Sequence, residues 1–124
     1  MPVKLKRGKA QKVAEDIVCY KVLAVFNSGN VLVSPMREVD ESFRCSLWIY
    51  NEVRTSKLSK PKDYTSSKGL YSFGTIDNAI KYCKRLGSPC RVFKAIIPKG
   101  SEYYYSKKED TYVSDKLKII EHYA

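Results

Sequence analysis

Cations interleaved with large aromatic rings are the chemically suggestive feature of this sequence. Trp48 and Tyr50 stand two apart in LWIY. Arg54, Lys57, Lys60, Lys62 and Lys68 follow in the polar stretch NEVRTSKLSKPKDYTSSKG, and Arg91, Lys94 and Lys99 form a later group. Aromatic faces stack nucleobases at ~1–3 kcal/mol each, and Lys and Arg hold phosphates. This pattern therefore points to binding of a phosphate-bearing partner, and these residues are its candidate ligand set.

Bond-making chemistry has no comparable set. Neither Gly-x-x-x-x-Gly-Lys-Ser/Thr nor Gly-x-Gly-x-x-Gly occurs, which excludes the familiar phosphate loops. A Ser-His-Asp or Cys-His arrangement would have to use His122, the only histidine. Glu38, Asp40 and Glu41 sit together in one polar turn rather than as a separated acid–base pair. The cysteines, Cys19, Cys45, Cys83 and Cys90, form no Cys-x-x-Cys pair, so no zinc signature is present. Apolar neighbours mark them as small buried hydrophobes, with one disulfide left open for an oxidising compartment. No catalytic residue, metal or cofactor is assigned, and the expectation is a non-enzymatic protein.

The formal net charge is +10 over 124 residues, which favours polyanions: nucleic acid, a phosphate-bearing small molecule, or an acidic protein surface. Lys4, Lys6, Arg7, Lys9 and Lys12 crowd the start of the chain with no acid among them. Such a block reads as a flexible basic arm over residues 1–12, leaving one domain over 13–124. No apolar run approaches the ~20 residues of a membrane helix, and no apolar segment follows the basic start as in a secretory signal. A cytoplasmic setting without a membrane partner is expected; oligomeric state is left open.

These side chains must be positioned by strands and one helix. IVCYKVLAVF over 17–26 is rich in β-branched and aromatic types and reads as a strand. NSGN supplies turn chemistry, and VLVS over 31–34 returns as a hairpin arm stopped by Pro35. RCSLWIY over 44–50 alternates, placing Trp48 and Tyr50 on one face of a further strand. Residues 51–69 read as a long polar loop, a candidate lid or binding loop.

LYSF is a short strand, and Thr75 follows as N-cap of a helix over 76–86. Ile76, Ala79, Ile80 and Cys83 make its apolar stripe, and Gly87 and Pro89 end it. CRVFKAII, SEYYY and KLKIIEH complete the strands, with turns at Pro98–Gly100 and SKKED and a break at Ser114–Asp115. The fold class is α+β: a mixed, mostly antiparallel sheet with one short amphipathic helix packed on it.

The pieces Tyr20-Lys21, Ser34-Pro35, LWIY, GLYSFGTIDNA, IPKGSEYYY and YVSDKLKII, in that order, resemble small uncharacterised proteins of phages and their bacterial hosts. The resemblance spans residues 17–121 and implies a phage-related setting, with no activity to transfer. A weaker resemblance is to ADP-ribosyltransferases of the arginine–serine–glutamate type, through Tyr64-Thr65-Ser66-Ser67 and Ile97-Pro98-Lys99-Gly100. Where that family has Glu-x-Glu, this chain has Tyr112-Val113-Ser114-Asp115, and the early arginine is missing from IVCYKVLAVF. Beside the phosphate-binding module, two other functions thus stay open: a protein-interaction module docking on an acidic partner, and a degenerate or active transferase-like enzyme.

Overall fold

The computed structural model describes residues 10–29, 31–33, 47–58 and 69–124. Among them the chain forms a small α+β domain, mostly β: a nine-stranded sheet and one α-helix. Strands β1 (Gln11–Lys12), β2 (Ile17–Phe26), β3 (Val31–Val33), β4 (Val53–Thr55) and β5 (Leu70–Phe73) precede helix α1 (Ile76–Leu86). Strands β6 (Cys90–Ile97), β7 (Glu102–Ser106), β8 (Thr111–Ser114) and β9 (Lys116–His122) follow it. The order across the sheet is β1-β7-β8-β5-β2-β6-β9-β4, with β3 also on β2. Every ladder among these residues is antiparallel, so the parallel component of the expected mixed sheet is not seen there.

The two-residue period of β2 decides where the core sits. Cys19 and Leu23 face one way and join Phe93, Ala95 and Ile97 of β6, Leu117 and Ile119 of β9, and Leu32 and Trp48. Val22 and Ala24 face the other way and pack, with Cys90 and Val92, under Ala79 of the helix. Full burial of side chains of this size is worth ~1.5–3 kcal/mol each, which makes β2 and β6 the centre of the fold. Lys21 shares the first face and is also buried, at 1% exposure. A lysine is rarely buried without a partner; here Nζ donates to the Tyr71 carbonyl at 2.7 Å and lies 5.6 Å from the centre of the Trp48 ring.

The helix spans the expected residues, but its start is built differently. Thr75 occupies the N-cap position without a side-chain bond to the helix backbone. Its amide and its hydroxyl both donate to Asp110 Oδ2 at 2.8 Å, and Asn78 Nδ2 donates to the same oxygen at 2.9 Å. Tyr105 OH donates to Asp110 Oδ1 at 2.7 Å. The β7–β8 turn thus reaches across to fix the helix entry. At the other end Gly87, with φ 75°, donates to the Cys83 carbonyl at 2.9 Å, a left-handed closure suited to glycine.

Other expectations change. LWIY is not a strand: residues 47–50 are irregular, with Leu47, Ile49 and Tyr50 exposed and Trp48 turned inward at 4% exposure. The Trp48 amide donates to Leu32 at 2.8 Å, and Asn51 then reverses the chain at φ 62°. A bend around one buried ring replaces the alternating ladder. The long loop also shortens, because Val53–Thr55 pairs with Lys116–Lys118 as β4. The end of the basic arm is tied down as well: Gln11–Lys12 pairs with Tyr103–Glu102, and Val13 is buried. Residues 1–9, 30, 34–46 and 59–68 lie outside the described residues, and with them the rest of the arm, Cys45 and the core of the 51–69 loop. Cys19, Cys83 and Cys90 are free thiols.

The tyrosine run follows strand alternation. Tyr104 is buried with Tyr71 and Val113, while Tyr103 and Tyr105 share the other face and flank Tyr112, at centroid distances of 5.7 Å and 4.6 Å. Among the described residues no helix is long and apolar enough to cross a membrane.

Candidate ligand cleft

Antiparallel pairing brings three chain segments to one end of the sheet. The end of β2 meets the start of β6 through Ala24↔Cys90, and the end of β9 meets β6 through Phe93↔His122. The β2–β3 turn, Asn27–Gly29, closes the same end. Between them and the 47–50 bend opens a cleft of about 450 Å³. That size lies within the ~300–1,000 Å³ range of small-molecule sites.

Its lining is aromatic and cationic. Phe93 forms the floor and is 1% exposed. The Tyr50 ring stands 6.2 Å from it and the His122 ring 5.2 Å, centre to centre. Phe26, 48% exposed, stands at the rim. Arg91 is exposed and also lines the cleft, donating one Nη1 bond to its neighbouring Cys90 carbonyl at 2.9 Å. A guanidinium carries five N–H donors in a planar fork, so donors remain for an anion. The described lining contains no carboxylate.

Behind Arg91 lie two thiols. Burial pushes Cys90 up, the neighbouring Cys83 adds to this, and the Arg91 guanidinium opposes it. Cys83 is likewise raised by burial against the pull of Arg91. Both therefore stay protonated near neutral pH and leave the charge of Arg91 uncompensated from that side.

The rim is conformationally unusual. Asn27 and Ser28 have φ of 51° and 55°, followed by Gly29 at 95°. Asparagine and glycine visit this left-handed region readily, but serine does so at a cost.

Of the sequence-derived set, Tyr50 and Arg91 meet in this cleft. Trp48 does not offer a stacking face: it is buried, and the Arg54 guanidinium lies 4.5 Å from its ring centre. Arg54 is thereby engaged in packing, and Lys57 is exposed just past β4. Lys94 is half-buried in mid-strand, in register with Tyr20 and Glu121. Lys99 is exposed in the Pro98–Gly100 turn, where its amide donates to Asp16 Oδ1 at 2.8 Å. Arg91 and Lys99 stand at opposite ends of β6, roughly 20 Å or more apart along the strand. Lys60, Lys62 and Lys68 lie outside the described residues.

Sequence reasoning missed Phe26, Phe93 and His122. Their signal was positional: strands in an antiparallel sheet place the end of one beside the start of the next, so the 26–29 turn, residues 90–93 and residue 122 converge.

The described transferase-like positions do not line the cleft. Asp115 Oδ1 accepts the Glu102 amide at 2.9 Å, and Ser114 Oγ donates to the Lys116 carbonyl at 2.9 Å. Both fix the β8–β9 corner. Tyr64–Ser67 lies outside the described residues. No family model, curated protein or solved structure matches the chain.

Proposed function

We propose that this chain is a non-enzymatic binding protein whose cleft takes a small ligand carrying a phosphate and a planar ring, as in a nucleotide. The observation that supports this most is the meeting of Arg91 and His122 with Tyr50, Phe26 and Phe93 around one opening with no carboxylate in its described lining. A base would lie against Tyr50 and Phe26 above the Phe93 floor, and the phosphate would take the fork of Arg91. The net charge of +10 would attract such an anion from solution. The left-handed turn at the rim agrees with this reading, because strained residues gather where a ligand is gripped.

The test is calorimetric titration with a nucleoside monophosphate, its nucleoside and inorganic phosphate. The nucleotide should bind more tightly than either part. Arg91→Ala should weaken it by ~1.5–3 kcal/mol, the range for a hydrogen bond to a charged group, and Tyr50→Ala by ~1–3 kcal/mol for lost stacking. Equal affinity of wild type and both variants, or no heat at millimolar nucleotide, would overturn the reading. If the partner is instead a nucleic-acid polymer, affinity for an oligonucleotide should fall steeply with salt while the mononucleotide stays weak.

A further inference from the structure

Two nitrogen-bearing side chains reach the cleft from adjacent strands. Phe93 of β6 stands opposite His122 of β9 in the ladder. Strand alternation returns Arg91 to the face of Phe93. Arg91 and His122 are therefore diagonal neighbours across the pair, ~7–8 Å between their backbones and within reach of long side chains. Both line the same opening of about 450 Å³, with Phe93 between them. Both are exposed.

Each keeps donors for a ligand. The Arg91 guanidinium gives one Nη1 bond to the Cys90 carbonyl at 2.9 Å. Its Nε and Nη2 edge remains, and that edge has the geometry to take two oxygens of one anion. His122 meets Phe93 ring to ring, 5.2 Å between centres at an angle of 39°. A ring contact leaves the rim of the imidazole, where both nitrogens sit, to other partners. At least one of those nitrogens carries a proton in either charge state of the ring.

Counting oxygens separates the ligand classes. A phosphate monoester has three oxygens free of ester bonds, and a phosphodiester has two. The Arg91 edge uses two, so only a monoester leaves a third for His122. Resting on the nucleotide reading above, we propose that the cleft selects a phosphate monoester: Arg91 holds two of its oxygens, and His122 donates a ring N–H to the third. His122 is then the residue that tells monoester from diester. Every internal phosphate of a nucleic acid is a diester. The ligand is thus a free nucleotide or a phosphorylated chain end, not the body of a strand.

The experiment is calorimetric titration with the 5′-monophosphates and the 3′,5′-cyclic monophosphates of the four ribonucleosides. A monophosphate should bind about tenfold or more tighter than the cyclic form of the same nucleoside, the worth of one hydrogen bond to a charged group. His122→Phe keeps a ring against Phe93 and should erase that preference by weakening the monophosphate alone. Tyr50→Ala should weaken both forms and preserve the ratio. A ratio near one in the wild type, or a ratio unchanged in His122→Phe, overturns the inference and leaves a nucleotide cleft standing. No heat from any of these nucleotides at millimolar concentration removes the nucleotide reading, and the inference with it. A readout independent of any variant comes from nitrogen NMR, because His122 is the only histidine in the chain. Its ring nitrogen signals should move further under saturating monophosphate than under saturating cyclic nucleotide, and equal movement would overturn the inference. A short oligonucleotide with and without a 5′-phosphate separates the two sources. Tighter binding of the phosphorylated strand than of the mononucleotide assigns the site to a chain end, and weaker binding assigns it to a free nucleotide. Equal binding of the strand that lacks the phosphate would overturn the proposal.

Discussion

The two ends of the sheet treat their polar groups in opposite ways. At the β7–β8 end, both oxygens of Asp110 are consumed by the protein: Oδ2 takes Thr75 and Asn78, and Oδ1 takes Tyr105. Even its carbonyl accepts the Gly74 amide at 3.0 Å. At the cleft end, the guanidinium of Arg91 makes one bond among the described residues and Phe26 is exposed. One end spends its polar groups on the fold, and the other leaves them facing an opening. A single side chain can therefore act on stability alone or on binding alone, and substitutions at the two ends should separate these readouts.

The largest effect should come from Asp110→Ala. It removes the acceptor of Thr75, Asn78 and Tyr105 together. Hydrogen bonds to a charged group are worth ~1.5–3 kcal/mol each, but water replaces part of them at this partly exposed site, so the expected loss is ~2–3 kcal/mol in all. Urea unfolding measures it, and nucleotide affinity should not change. The same end should be acid-sensitive. Burial alone would raise the Asp110 carboxyl, but the bonds from Asn78, Tyr105 and Thr75 outweigh it and hold it below the ordinary 3.8. A carboxyl lowered on folding contributes stability that is complete above its unfolded value and lost as pH falls through the folded one. Stability should thus decline below about pH 4, and the decline should be shallower in Asp110→Asn. An unchanged slope would show that other carboxylates set the acid limit.

Arg91→Ala should give the converse result: a loss in nucleotide affinity of about tenfold or more, with unfolding free energy within ~0.5 kcal/mol of wild type, as for an exposed side chain. If stability drops with affinity, Arg91 braces the turn after the helix and the contrast between the ends fails.

Much of this was legible in the sequence, for identifiable reasons. The helix from Ile76 to Leu86 was fixed by a strong apolar stripe and a Gly-x-Pro stop, and β5 to β9 by runs bounded with turn residues. Two misreadings have separate causes. LWIY alternates as a strand would, yet the chain bends around Trp48, because tertiary burial of one large ring outweighs local pattern. Val53–Thr55 is a strand hidden in a polar stretch, since three residues with one partner among the described strands need little apolar content. Asp110 was invisible as a helix anchor because its partners are 32 and 35 residues away. The cleft was half-visible: Tyr50 and Arg91 carried the right chemistry, but Phe26 and His122 join them only once the strands are paired.

The smallest expected effect tests whether the rim is strained for a purpose. Ser28 holds φ 55°, a region disfavoured for L residues. Glycine there would relieve the strain but enlarge the unfolded ensemble, for a net gain of ~0.5–1 kcal/mol at most. Chemical denaturation of Ser28→Gly should show that gain, and calorimetry on the same protein should show weaker nucleotide binding. The opposite signs are the informative part. A turn that merely connects β2 to β3 would become more stable with affinity untouched. A turn held in place to shape the cleft would lose order when its side chain is removed, and the ligand would have to restore that order on binding. A rise in stability with unchanged affinity would assign the left-handed turn to hairpin geometry and leave Arg91 and the aromatic walls to carry the cleft alone.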